Sequence, residues 1–187
     1  MHEIEPFYGW ENLYQASQDK KSPFFERSYH SEYVSAIYGY YIHPYWDFID
    51  SETLYVKILY ANYEQKYAII ELFGEWNDTL HNDIMYLKRG VVDALSKQGI
   101  NEYILIGENV LNFHASDDCY YEEWFEDVED GWIVAINFRD FVEREWSKYR
   151  LDYYINFGGT LYFDNWRTLT PQVLYERVKS AIMKRLS

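Results

Sequence analysis

The side chains able to do chemistry are few and poorly grouped. Cys119, the one cysteine, follows Asp117 and Asp118, and adjacent negative charge disfavours the thiolate that a nucleophile requires. A small packed residue is its ordinary role. His30, His43, His81 and His114 are scattered. His30-Ser31-Glu32 and His81-Asn82-Asp83 each place two possible metal ligands two residues apart, a spacing common by chance. His114 with Asp117 and Asp118 is the best cluster, after a strand and at the opening of a helix, where open α/β sheets bind ligands. A solvated histidine beside helix-capping aspartates explains the same residues without a ligand. Paired carboxylates working as acid and base must face each other across a cleft. Here Glu122, Glu123, Glu126, Asp127, Glu129 and Asp130 ride outward on one helix, which makes a solvated face and, secondarily, a contact for a basic partner. Phosphate-loop, dinucleotide, zinc-protease and nucleophile-elbow signatures are absent from the sequence. No cofactor or metal is expected.

The elements that position these residues centre on 67–113. Tyr67-Ala68-Ile69-Ile70-Glu71-Leu72-Phe73 reads as a buried strand closed by Gly74. Asn77 or Asp78 then caps a helix running to Gln98, because short oxygen-bearing side chains accept from first-turn amides. Leu80, Ile84, Leu87, Val91 and Leu95 share one face of it, and Gly99 closes it. Tyr103 to Ile106 is the next strand, and a strand–helix–strand unit of this length predicts a right-handed crossover between parallel strands. Gly107-Glu108-Asn109 reads as a turn before Val110 to Phe113. The helix over 117–130 carries eight acids, with Tyr121, Trp124, Phe125 and Val128 as its apolar stripe.

Outside that centre, Thr53 to Ala61 predicts a strand hairpinned to 66–73. Trp132 to Phe138 is a buried strand, and a helix from Asp140 turns Val142, Trp146 and Tyr149 inward. Gly158-Gly159 signals a two-residue hairpin between 153–157 and 160–163. Thr170-Pro171 opens a last helix that buries Leu174, Val178, Ala181 and Ile182. Residues 1–35 hold a possible short helix at Leu13 and Tyr14. Tyr33, Tyr38, Tyr40, Tyr41, Tyr45, Trp46 and Phe48, broken by His43-Pro44, form either an aromatic ligand mouth or an arm laid across the sheet. The expectation is one domain over 1–187, with an aromatic-rich extension at 1–50, a core at 53–146, and a C-terminal hairpin and helix at 151–187.

A net charge of −14 opposes a nucleic-acid grip, which needs cations on phosphates, and attraction to anionic membranes. It suits a basic protein partner. The 21 tyrosines, 11 phenylalanines and 7 tryptophans supply large packing area with polar tips. No signal-like start or long apolar run is present, so a cytoplasmic location is expected.

Between Thr53 and Trp146 the order of elements resembles the STAS domain, the family of bacterial anti-sigma-factor antagonists and transporter tails. Ile70-Glu71-Leu72-Phe73-Gly74-Glu75 is similar to that family's strand ending in a glycine–acid turn. Asn109-Val110-Leu111-Asn112-Phe113-His114-Ala115-Ser116-Asp117 is similar to its V-x-F-I-D-S-S-G segment. The motif's aspartate falls on His114, its regulatory serine on Ala115 and its glycine on Asp117; Ser116 alone matches. The resemblance therefore implies a fold more than a phosphorylation switch.

Two function classes follow. The first is a non-catalytic regulatory or protein-interaction module, STAS-like in its middle. It would contact its partner through Ser116, Asp117, Glu122, Glu123 and Glu126, with His114 beside them and 38–48, including Tyr45 and Trp46, as a neighbouring surface. An acidic inhibitor or immunity protein against a basic toxin is a variant of this class. The second is a small-molecule-binding protein or enzyme with an aromatic pocket near His43, Tyr45, Trp46 and His114. The fold expected for both is α/β, a mixed and largely parallel sheet with helices packed on it.

Overall fold

Continuous apolar runs give the central strands, because a strand covered on both faces has no reason to alternate. The computed structural model describes residues 2–30, 32 and 35–187; Tyr33 and the middle of His30-Ser31-Glu32 lie outside them. Among the described residues, β4 (Asp47–Phe48), β5 (Leu54–Asn62), β6 (Tyr67–Asn77), β7 (Glu102–His114) and β8 (Trp132–Ile136) form one mixed sheet in that order. The β4–β5 and β5–β6 pairs are antiparallel. The β6–β7 and β7–β8 pairs are parallel, with Ile69 opposite Ile104. A smaller sheet joins β1 (His2–Ile4), β2 (Ala36–Ile37) and β3 (Tyr40–Ile42).

Each face of the main sheet has its own core. On the first, Ala68, Ile70, Leu72 and Trp76 of β6 meet a helical rod over 83–97. That rod consists of α1 (Asp83–Leu87), a π-helical turn (Lys88–Val92) and α2 (Asp93–Lys97). The same core holds α3 (Cys119–Asp127) through Tyr121 and Trp124, and α4 (Asp140–Lys148) through Val142 and Trp146. On the second face, Tyr67, Ile69, Ile104, Ile106 and Val134 meet Leu174, Tyr175, Val178 and Ile182 of α5 (Pro171–Leu186), with Trp10 and Trp166 sealing the edge. Thr170 caps α5 by accepting from the Val173 amide. From β5 to α4 the order is strand, strand, helical rod, strand, helix, strand, helix, as the STAS resemblance implies.

Several local expectations are corrected. The rod begins at Asp83, not at Asn77 or Asp78, because β6 continues to Asn77 and the Asp78 amide donates to the His114 carbonyl at 2.8 Å. Leu80 is therefore 77% exposed, while Ile84 and Leu87 are buried. Gly74 does not end its strand; at φ 113, a Cβ there would meet the Thr53 carbonyl oxygen at 2.2 Å, so glycine is needed within the strand. Gly107 is not in a turn either: β7 runs unbroken through it, and the Phe138 ring lies where its side chain would be. Gly158 and Gly159 take positive φ but join no hairpin. Asn156 instead exchanges backbone bonds with Ile133 and Ala135, at 2.9 Å each, because the open edge of β8 competes for the segment. Residues 9–13 form turns, and neither Leu13 nor Tyr14 lies in a helix. Phe125 and Tyr149 are exposed, one on the flank of α3 and the other just past the end of α4.

Candidate functional site

Tyr121, Trp124 and Val128 are spaced at three and four residues, so they anchor one side of α3 to the sheet and turn its acids outward. The fold then divides those acids into two groups. The inner group faces the π-helical turn. Lys88 is fully buried there, and its Nζ bonds Asp127 (2.6 Å), Glu123 (3.4 Å) and Asp93. Arg89 completes the network, with 2.9 Å to Asp93 and 2.8 Å to Glu123. Burial pulls the Lys88 ammonium down, but its hydrogen bonds to Asp127 and Asp93 outweigh that and leave it above the ordinary lysine value. The Arg89 contact holds Glu123 below the usual carboxylate range. Carboxylate oxygens of Asp93, Glu123 and Asp127 lie within 4.8 Å of one another, a spacing that suits a cation. The chain's own ammonium already bonds all three.

The outer group comprises Glu122, Glu126, Glu129 and Asp130, all exposed. Among the described residues, none has an ion-pair partner. Phe125, half exposed, sits among them with its ring 5.9 Å from that of Tyr154. The Tyr154 hydroxyl donates to Asp118 at 2.7 Å, tying this surface to the segment after α4. The result is a carboxylate-rich patch around an exposed ring.

The other expected residues divide between this patch and elsewhere. Ser116 and Asp117 are exposed at the start of α3. Asp117 accepts from the Cys119 amide, and hydrogen bonding to that carboxylate raises the thiol. His114 does not join Asp117 and Asp118; its Nε2 lies 3.0 Å from Glu75 and 3.1 Å from Asn112, at the ends of β6 and β7. Trp46 is buried, stacked 5.3 Å from Phe73, and donates to the Ile4 carbonyl at 2.7 Å, so it fills a small core rather than lining a mouth.

Tyr45 lines a cleft of about 230 Å³ with Phe7, Trp10, Tyr14, Tyr29 and Lys57, beside β5. Lys57 Nζ donates to the Tyr45 carbonyl at 2.9 Å, lies 4.0 Å from the Tyr29 ring centroid, and is 3.6 Å from Asp47. Burial lowers the lysine and raises Asp47.

Three buried polar residues have roles beyond those read from the sequence, although Asp78, expected as a cap, does accept from a first-turn amide of the rod. Lys88 lies four residues after Ile84 on the apolar side of the rod, with acids on α2 and α3 to meet it; a lysine inside an apolar stripe is the signal that points to it. Asp78 accepts from the Ile84 amide (2.8 Å), Trp76 Nε1 (3.0 Å) and the Tyr121 hydroxyl (2.5 Å), and burial pushes it up to about 7. Glu71 sits in mid-strand, fully buried, and accepts from the Phe7 amide at 2.8 Å; burial pushes it to about 7 as well.

No protein-family model matches the sequence, and no curated protein matches it. Among solved structures, the chain is similar to the Bacillus cell fate determinant SpoIIAA in its phosphorylated form. Identity is 12%, the TM-score is 0.41, and the match covers 66% of this chain and 98% of that one. Among the described residues, no helix is long and apolar enough to cross a membrane.

Proposed function

We propose that the chain is a non-catalytic protein-interaction module that docks a basic partner on the outer flank of α3. The observation that carries this reading is the separation of acids on that helix. Glu123 and Asp127 serve the fold through Lys88, whereas Glu122 and Glu126, beside an exposed Phe125, have no cation paired with them among the described residues. Interfaces gather around an aromatic anchor with a polar rim, and charge complementarity speeds encounter. Ser116 and Asp117 border the patch, and His114 follows on the adjoining strand end. An inhibitor of a basic toxin belongs to the same class. The test compares the wild type with Glu122→Lys/Glu126→Lys as bait in host lysate, quantified by mass spectrometry and followed by titration of the purified partner. The variant should lose a partner that the wild type retains; equal retention would refute the surface.

A second reading is favoured by the aromatic cleft around Tyr45 and Lys57, whose size suits a small ring compound. Thermal-shift screening against nucleotides, sugars and metals tests it, since binding to the folded state raises the melting temperature. Silence across that screen removes this reading.

A further inference from the structure

The chain is strongly acidic, yet the outer side of α5 has the opposite sign. Between α5 and residues 160–163 runs a groove of about 670 Å³. Phe163, Val173 and Ala181 supply its apolar lining, and Arg177, Lys184 and Arg185 flank it against one carboxylate, Glu176. Among the described residues, Arg177 and Lys184 have no hydrogen-bond or ion-pair partner for their side chains. Arg185 is different: it donates to the Phe157 carbonyl at 3.0 Å and to that of Gly158, which fixes its guanidinium at one end of the groove.

We propose that this groove is a second docking surface, for an acidic segment carrying apolar anchors, on the opposite side of the sheet from the α3 patch. From Val173 to Arg185 the helix rises about 18 Å, roughly three helical turns. That length accepts a short amphipathic helix whose apolar residues at i, i+3 or i+4, and i+7 enter the groove while its carboxylates meet the flanking cations. Unpaired basic groups beside an apolar floor lose least by desolvation when the incoming segment brings carboxylates to pair with them. A lipid surface fits less well. The apolar lining runs along a groove that a helix can follow rather than over a convex face. The proposal does not depend on the α3 reading.

The experiment measures fluorescence anisotropy of a labelled 13-residue peptide with leucines at those spacings and glutamates elsewhere. A lysine-for-glutamate version is the control. The acidic peptide should bind the wild type, weaken as salt rises, and bind Arg177→Glu/Lys184→Glu at least about tenfold more weakly. Arg177→Lys/Lys184→Arg should bind nearly as the wild type does. Val173→Glu should also weaken binding, through the apolar floor. Absence of binding, equal binding by the charge-reversed variant, or binding by the lysine control would overturn the proposal. So would attachment to phosphatidylserine vesicles without peptide binding.

Discussion

The two flanks of α3 carry the same residue types and do opposite work. Glu123 and Asp127 close over a buried ammonium, while Glu122 and Glu126, one residue earlier in each case, stand in water. The 100° step between neighbouring helical positions is enough to separate a structural carboxylate from an available one. An acidic helix is therefore better read in rotational strips than as one charged run.

The strongest way to break the contrast is to remove the shared cation. Lys88→Ala should leave three carboxylates crowded around a void and cost about 3 kcal/mol, toward the low end for a broken buried pair because those acids are partly exposed. Urea denaturation measures this, and Lys88→Met should recover part of the loss by restoring the apolar stem. An unchanged midpoint in Lys88→Ala would mean that the network contributes nothing.

Buried acids with no cation in contact sharpen the comparison next. Glu71, shifted from 4.5 to about 7, holds a proton in the folded state that the unfolded chain has released. Stability should therefore fall as pH rises from about 4.5 to 7, by up to about 3 kcal/mol. Asp78, shifted from 3.8 to about 7, acts in the same direction. Melting temperatures of Glu71→Gln across that range should fall less steeply than those of the wild type, and adding Asp78→Asn should flatten the profile further. A parallel slope in Glu71→Gln would rule out its titration as the cause.

A smaller effect separates the flanks directly. Glu123→Gln/Asp127→Asn should lose about 1 kcal/mol, whereas Glu122→Gln/Glu126→Gln should stay within about 0.5 kcal/mol of the wild type while losing affinity for a basic partner. Equal destabilisation by the two pairs would erase the distinction.

The central architecture was legible because it rests on long, simple signals. The run from Tyr67 to Phe73 and the spacing of Ile84, Leu87, Val91 and Leu95 each encode burial directly. Glycine misled the reading, since the same residue serves turns and close packing. Gly107 yields to the Phe138 ring, and Gly158-Gly159 turns the chain without pairing its flanks, because β8 captures Asn156. Phe125 lies at helical spacing from Tyr121 but on the rim of the buried strip, so periodicity alone assigned it inward. Of the candidate residues, the acids of α3 could be named from sequence. Which of them meets Lys88 depends on how α3 lies across the rod, and no local pattern records that.

The π-helical turn at 88–92 has a consequence for the rod as a whole. Such a turn is equivalent to one residue added to an ordinary helix, so it acts as a phase shifter between two stretches of the same element. Deleting one residue within it would let the rod close as ordinary α-helix with Leu95 still on the sheet, whereas winding the turn into α-helix at unchanged length would rotate everything downstream by about 100°. The facing of Leu95 toward the sheet and of Asp93 toward the Lys88 ammonium thus both depend on that one turn.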